Sequence, residues 1–385
     1  MLVSGIIVIR KLLKNTLSNS PAASLVGQIL VGPGQRRRWD DFVRQHSGGH
    51  LLQSYAWGDF KRRHDWPGLR VIVTAPGDDK ILAGAQILFR VMAGLSIAYI
   101  PKGPVVDWDN KPLVATLMQT ISQVSRRRRA IYLKIEPNVA VEAAFEKYLT
   151  EDFHFKSVSE TVQPRSTIRV NLDATHDEIL ARMKPKTRYN IKLAERRGVT
   201  CRMADPIQPT DFAQFYNLME TTGQRDSFGI HSAAYYRDVW ETFYNAPDGS
   251  GAGALWLAEF EGKVVAGVMV FSFGVEAAYL YGVSSDEHRR EMPTYLLQWK
   301  AMQWAKEQGA RFYDFWGIPD EVGAGEDDEH AELENKNVRD GLWGVYRFKQ
   351  GFGGEVLRYA GAYDLVYLRS LYLIWQRMQN RRRGD

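Results

Sequence analysis

One cysteine, Cys201, in 385 residues excludes an intrachain disulfide and any thiolate cage around zinc. No run of apolar residues approaches 18, so no segment reads as a membrane span. Near the start a short apolar run (residues 5–9) is followed by Arg10 and Lys11, whereas a secretory leader places its basic residues first. There is no His-Glu-x-x-His helix, no Gly-x-Ser-x-Gly elbow and no P-loop. These absences remove the common zinc-peptidase, serine-hydrolase and nucleotide-hydrolase chemistries. The 8 histidines show no metal-ligand spacing. Charge of one sign is also scarce: 50 basic against 45 acidic residues leave +5, too mild to demand nucleic acid.

What is present is a packed, aromatic chain. It is 45% hydrophobic, with 11 Trp, 18 Tyr and 17 Phe, which fits one large or two ordinary domains and argues against disorder. The cations come in runs, at residues 36–38, 126–129 and 381–383, which read as solvated faces. Cys201 follows Gly198 in a Gly-Val-Thr-Cys segment and reads as a strand residue, not a nucleophile. Residues 1–30 read as an extension outside the fold, and the reducing cytoplasm suits the cysteine count.

The main organisational signal is a duplication. Asp-Lys-Ile-Leu-Ala-Gly (residues 79–84) matches Gly-Lys-Val-Val-Ala-Gly (262–267). Each sits in the turn of a hairpin and leads into an apolar run. In each copy a further strand, a proline-bearing loop, a helix and a short strand follow. Leu113, Leu117, Ile121 and Val124 mark the first helix; Leu297, Ala301, Trp304 and Ala305 mark the second, which Gly309 stops. The order predicts an α+β fold of two tandem units, each a mixed sheet with one parallel crossover near its middle. Residues 31–165 form the first unit and 166–363 the second. Residues 364–385 form a C-terminal helix and basic tail packing on the first. Acyltransferases of the GNAT type have this arrangement. Their glycine-rich pyrophosphate loop is missing from both copies, which argues against an acetyl-coenzyme A donor.

Three segments carry possible chemistry. Thr175 and Glu178 make a capping box, and Pro185 opens a helix that closes at Gly198. On it, Lys184, Arg188, Lys192 and Arg196 fall four residues apart, in one cationic stripe. Such a stripe suits an anionic partner such as an RNA backbone, or is a solvated face. In the second segment, Lys61 ends an aromatic run from Leu52 and either faces a cleft or snorkels. In the third, Phe348 and Lys349 precede three glycines in four positions, 351, 353 and 354. Lys349 is a candidate stabiliser of a developing oxyanion, or the segment is a turn between strands. Asp107, Asp226 and Asp314 are lone carboxylates available as bases.

Seven segments in order resemble the Fem family of aminoacyl-tRNA-dependent peptidyltransferases, the FemX type most of all. They are Leu-Gln-Ser-Tyr-Ala-Trp-Gly-Asp-Phe-Lys (52–61), Tyr-Ile-Pro-Lys-Gly-Pro-Val-Val-Asp (99–107) and Met-Lys-Pro-Lys-Thr-Arg-Tyr-Asn-Ile-Lys-Leu-Ala (183–194). Arg-Asp-Ser-Phe-Gly-Ile-His (225–231), Tyr-Leu-Tyr-Gly-Val-Ser-Ser (279–285), Tyr-Asp-Phe-Trp-Gly-Ile-Pro (313–319) and Tyr-Arg-Phe-Lys-Gln-Gly-Phe-Gly-Gly (346–354) complete the set. The resemblance implies two GNAT-like domains. It also implies transfer of an amino acid from aminoacyl-tRNA to the side-chain amine of a peptidoglycan precursor's stem peptide. The precursor is lipid II or a UDP-linked muramyl pentapeptide. The aminoacyl-tRNA is a co-substrate, and neither a cofactor nor a metal is needed.

The resemblance places Lys61 and Arg225 at the precursor's phosphates, with Tyr279 or Tyr281 lining the same cleft. Lys349, after Phe348, would neutralise the oxyanion or the tRNA end, and Asp107 would be the general base. The charge stripe from Lys184 to Arg196 would take the tRNA backbone. The acidic stretch 321–334 reads as a surface loop in place of a helical arm that some Fem proteins carry. Two other classes stay open: an acyltransferase using a small acyl-coenzyme A, and a non-catalytic RNA- or lipid-binding protein on the same scaffold. The apolar, aromatic segment 365–378, ending in basic residues, either packs back on the first unit or touches anionic lipid at the inner face of the plasma membrane.

Overall fold

The computed structural model describes residues 25–32, 34–226, 229–244, 246, 251–322 and 342–383, without the side chains of 225, 226, 342 and 380–383. The first half runs Val26–Leu30 (β1), Gln35–Gln45 (α1), Tyr55–Arg63 (α2), Gly68–Thr74 (β2), Ala83–Met92 (β3), Leu95–Pro101 (β4), Lys111–Arg127 (α3), Ala130–Glu136 (β5), Ala143–Lys147 (α4) and Lys156–Val158 (β6). The second runs Ser166–Asn171 (β7), His176–Arg182 (α5), Pro185–Arg196 (α6), Thr200–Met203 (β8), Pro209–Asp226 (α7), Ala233–Tyr244 (α8), Ala252–Phe260 (β9), Lys263–Phe273 (β10), Glu276–Ser284 (β11), Pro293–Glu307 (α9), Phe312–Gly317 (β12), Leu342–Gln350 (α10) and Glu355–Arg358 (β13). Ala362–Val366 (β14) and Arg369–Arg383 (α11) end the described chain.

Local chemistry sets these boundaries. The Asn110 side chain accepts from Leu113 N at 3.2 Å and caps α3, with Pro112 in its first turn. Leu113, Leu117, Ile121 and Val124 then bury one helix face against Val71, Val73, Ala85 and Ile87. The Thr175–Glu178 capping box forms as expected, and Gly198 leaves α6 at φ 87°. Cys201 sits half-buried in β8, and burial pushes its thiol up to about 12.

The two sheets have equivalent strand orders. The first is β1-β2-β3-β4-β5-β14-β6; the second, read from its other edge, is β8-β9-β10-β11-β12-β7-β13. In each, the only parallel pair among the described residues lies at the middle, β4 with β5 and β11 with β12. The α+β class and the two tandem mixed-sheet units therefore stand. The sixth place in the second sheet is filled by β7, the first strand of its own half, between β12 and β13, whereas the sixth place in the first is filled by β14, which follows β13 at the end of the second half, between β5 and β6. One strand, β14, thus crosses back from the end of the second half to the first lobe. Removing either strand leaves two ladders of backbone groups unpaired.

This corrects two expected boundaries. Val26–Leu30 is no extension: it pairs antiparallel with β2 at the edge of the first sheet. Residues from 362, not 364, return to the first lobe, because Tyr363 must pair with Ile135 and Ser157. The helix α11 then packs Tyr372 against Ile97, Ile131 and Tyr132 of that lobe. Residues 323–341, most of the expected acidic loop, lie outside the described residues.

A single apolar body joins the lobes. Trp39, Val43, Leu51 and Phe60 from the first share a cluster with Phe215, Tyr235, Trp240, Phe243 and Phe271 from the second.

Candidate active site

The lobes differ at their parallel pair. In the first, β4 and β5 stay paired from Ser96–Ala130 to Pro101–Glu136. In the second, β11 and β12 pair only at Glu276–Phe312, Ala277–Tyr313 and Ala278–Asp314. Beyond that both strands turn away. On β11 a bulge intervenes, because Val270 faces Tyr279 while Met269 faces Tyr281, leaving Leu280 over. On β12 the register with β7 breaks between Asp314 and Gly317, and Trp316 adopts φ 61°. A non-glycine residue held there costs about 1 kcal/mol or more, a strain that clusters at functional sites. The second lobe therefore has an open fork at the carboxyl ends of its parallel strands, where ligands bind in such sheets.

Lys349 fills that fork. It lies in α10, not in a turn between strands. The turn that follows fixes the helix: Gly353 has φ 79°, and a Cβ there would stand 2.4 Å from the Arg182 carbonyl oxygen. The Lys349 ammonium donates to the Gly317 carbonyl at 2.6 Å and the Trp316 carbonyl at 3.3 Å, and lies 5.7 Å from the Tyr279 ring centre. Burial pushes it down to about 7, against the pull of the Asp314 carboxylate. Phe348 turns away to join a ring cluster, 5.0 Å from Tyr295 and 5.3 Å from Phe352.

The first lobe reaches the same place. Lys102, almost fully buried, lies 3.1 Å over the Tyr359 ring and 5.8 Å from Trp316. Burial pushes it down to about 8, opposed by Asp314, Glu276 and Glu136. Asp314 accepts from Thr167 Oγ1 and, at 2.6 Å, from Trp316 N; burial raises it, and Lys102 and Lys349 both draw it down. Glu276 stands 3.7 Å from His50 Nε2 and 3.8 Å from Arg169, and burial beside Asp314 raises it. His50 Nδ1 accepts from Leu52 N at 3.0 Å, so its neutral ring carries the proton on Nε2, which has no hydrogen-bond partner.

A second cluster lies at the seam between α2 and α8. Lys61 Nζ is 3.4 Å from the Tyr235 hydroxyl and 5.3 Å from that ring centre. Burial, with Arg90 nearby, pushes it down to about 8. Tyr235 also stacks on His231 at 3.9 Å and hydrogen-bonds Tyr281. Lys61 thus faces a cationic and aromatic recess, not a counter-charge.

The expected residues divide accordingly. Tyr279 and Tyr281 do not line one surface: the bulge sends Tyr279 to Lys349 and Tyr281 to Tyr235 and Tyr236. Asp107 is exposed in the loop before α3 and accepts from Asp109 N; the carboxylate acting on Lys349 is Asp314. Arg225 closes α7 and its side chain lies outside the described residues. In the cationic stripe, Lys192 and Arg196 are exposed. Arg188 instead donates to the carbonyls of Ala181 and Met183, and Lys184 to Gln350 beside Lys349. Lys102 and Glu276 escaped notice. A lysine inside the apolar Tyr-Ile-Pro-Lys-Gly-Pro run was a readable sign of a buried charge. Glu276, beside the hairpin turn at Gly274, reads as solvated until the first lobe docks on it.

The FemAB family profile matches residues 35–153, 151–248 and 257–379. The chain belongs to the FemAB family. Among curated relatives of this FemAB protein is a lipid II:glycine glycyltransferase of Staphylococcus aureus (strain USA300), 25% identical over 414 positions spanning 89% of this chain and 94% of that one. The solved structure of FemX superposes with a TM-score of 0.76 at 23% identity, over 90% of this chain and 99% of that one. A tandem GNAT protein from the clavulanic acid biosynthesis pathway superposes at 0.54 with 11% identity, over 89% and 98%. These likenesses fix the fold as two tandem GNAT-like domains. Between β11 and α9, this FemAB chain has no glycine from 285 to 292.

Proposed function

We propose that this FemAB protein transfers an amino acid from an aminoacyl-tRNA to the side-chain amine of the stem peptide of a peptidoglycan precursor, lipid II or its UDP-linked counterpart, at the cytoplasmic face of the membrane. The observation that carries the reading is the buried Lys349 amine in the open fork of the second lobe, in a chain whose residues 35–248 and 257–379 match a family that includes a protein named as a lipid II:glycine glycyltransferase.

The chemistry needs little from the enzyme beyond placement and charge. The acceptor nitrogen attacks the ester carbonyl carbon. A C–N bond forms, and the carbonyl electron pair moves onto oxygen. Lys349, in its ammonium form, stabilises that oxyanion. Collapse breaks the bond to the tRNA ribose oxygen, which takes up the proton the nitrogen sheds. Tyr279 walls the fork, and Asp314 holds the Trp316–Gly317 segment that positions Lys349. Phe348 supports the helix bearing it. Lys61, with Arg225, binds the precursor's phosphates at the seam, and Tyr281 fixes the Tyr235 hydroxyl beside Lys61. Lys184, Lys192 and Arg196 face the tRNA. No cofactor enters this scheme. A small acyl-coenzyme A donor fits less well, since the β11–α9 loop lacks glycine.

The test is a transfer assay with a panel of charged tRNAs and a lysine-containing precursor, read by mass spectrometry. One aminoacyl residue added to the precursor is the expected product. Transfer from acetyl-coenzyme A with none from any charged tRNA would reject the proposal.

A further inference from the structure

The helix α11 is apolar on two sides. Its inner side seats Tyr372, whose ring lies 5.2 Å from that of Tyr132 and whose hydroxyl donates to Asp364 at 2.9 Å. That contact anchors the helix to the first lobe. On the other side, Leu373, Ile374 and Met378 are 46%, 50% and 47% exposed, and Leu368 just before the helix is 39% exposed. A solvated helix face carries isolated apolar residues; here they form a ridge one turn long on a helix already anchored through its opposite side.

Charge identifies what covers the ridge. Between Arg369 and Arg383 the sequence has five arginines and no carboxylate. Arg369 and Arg377 are exposed beside the ridge. The exposed run 126–129 adds to them at the helix base, where the Arg126 guanidinium lies 4.6 Å over the ring of Tyr367. Leucine, isoleucine and methionine flanked by arginines alone are the side chains that enter the boundary between acyl chains and anionic headgroups. An RNA backbone would engage the arginines and leave the ridge in water.

The position also suits a membrane. Ile97, under Tyr372, and Tyr99, two residues on in β4, lie on one face of the first sheet. Across that face, Arg90 pairs with Ile97 and acts on Lys61, and Trp66 meets the Tyr99 ring at 6.2 Å. The helix and the Lys61 recess therefore share a side of the lobe.

We propose that α11, with the arginine corner at its base, docks this protein on a membrane surface bearing anionic headgroups. The proposal stands on this helix and does not need the transferase reading to hold.

The experiment uses the full chain and sedimentation with vesicles of phosphatidylcholine, alone or mixed with phosphatidylglycerol. The protein is expected to follow the anionic vesicles and to remain in solution with phosphatidylcholine alone. Replacing Leu373, Ile374 and Met378 with serine is expected to weaken partition at least about tenfold, with unchanged turnover of a water-soluble UDP-linked precursor. Arg369→Gln and Arg377→Gln are each expected to weaken it about fivefold and to reduce its salt dependence. The arginine pair decides the matter if the serine variant does not fold. Wild-type protein that ignores anionic vesicles overturns the proposal, as do serine and arginine variants that bind them as well as wild type. A serine variant that turns a dimer into a monomer while keeping its lipid binding assigns the ridge to a second copy and also overturns it.

Discussion

The Lys349 ammonium donates to the Gly317 carbonyl at 2.6 Å, tying helix α10 to the end of β12 at the point where that strand leaves its parallel partner. The contact fixes a cation in the fork and leaves one face of it toward Tyr279. Its loss should therefore disable the chemistry before it disables the fold.

Lys349→Met is expected to lower kcat by about a hundredfold to a thousandfold. Unfolding free energy should move by less than about 2 kcal/mol, because losing two hydrogen bonds is offset by no longer burying an amine. Turnover and thermal melting measure the two. Near-normal turnover removes the oxyanion role.

The pH dependence has a defined sign. Lys349 falls from 10.5 to about 7 on folding, so its folded form binds protons more weakly than the unfolded chain. Its cost to stability is absent above the unfolded value, grows as pH falls toward about 7, and is constant below. Wild type should gain stability relative to Lys349→Met between about pH 7 and 9. In activity, kcat/KM should lose the ammonium form as pH rises through about 7, giving a falling limb that the methionine variant lacks. Paired melting curves and pH–rate profiles test both.

Lys61 makes a separate prediction. Held near about 8 without a counter-charge, it should take up a proton when phosphates arrive. Calorimetry at pH 8 in buffers of different ionisation heat should show net proton uptake on binding the UDP-linked precursor. Lys61→Met should abolish the uptake and raise the precursor KM roughly tenfold or more. An unchanged proton count in that variant places the phosphates elsewhere.

The cationic stripe divides by its contacts. Lys192→Glu with Arg196→Glu, both exposed, should raise the KM for aminoacyl-tRNA several-fold and leave that for precursor alone. Arg188→Glu should lower the melting temperature instead, since it loses bonds to the Ala181 and Met183 carbonyls at the end of α5. Equal effects of all three on tRNA would argue for a diffuse field and not a docking face.

The return of β14 predicts that the first lobe does not stand without it. A chain ending at Gly361 lacks β14, leaving β5 and β6 with open edges inside the first sheet. It should show no cooperative melt and should aggregate, read by calorimetry and light scattering. A sharp transition in that truncated chain would mean that β6 can close against β5 unaided.

By itself, the sequence determined the elements, the duplication and the family, because hydrophobic period, capping residues and turn glycines act over a few positions. The Thr175–Glu178 box, the Pro185 start and the Gly198 stop are all where local chemistry puts them. It also marked Lys349 and Lys61, as cations set beside a glycine-rich turn and an aromatic run. What it left open depends on distant partners. Only the docked lobes bring His50 to Glu276 and Lys102 to Trp316. Only the bulge at Leu280 separates Tyr279 from Tyr281, and only Asp314, through its place on β12, becomes the carboxylate beside Lys349. The return of β14 to the first sheet belongs to the same class. A strand of five residues carries the pattern of a strand, but the ladder that accepts it lies in the other half of the chain and is chosen by packing alone.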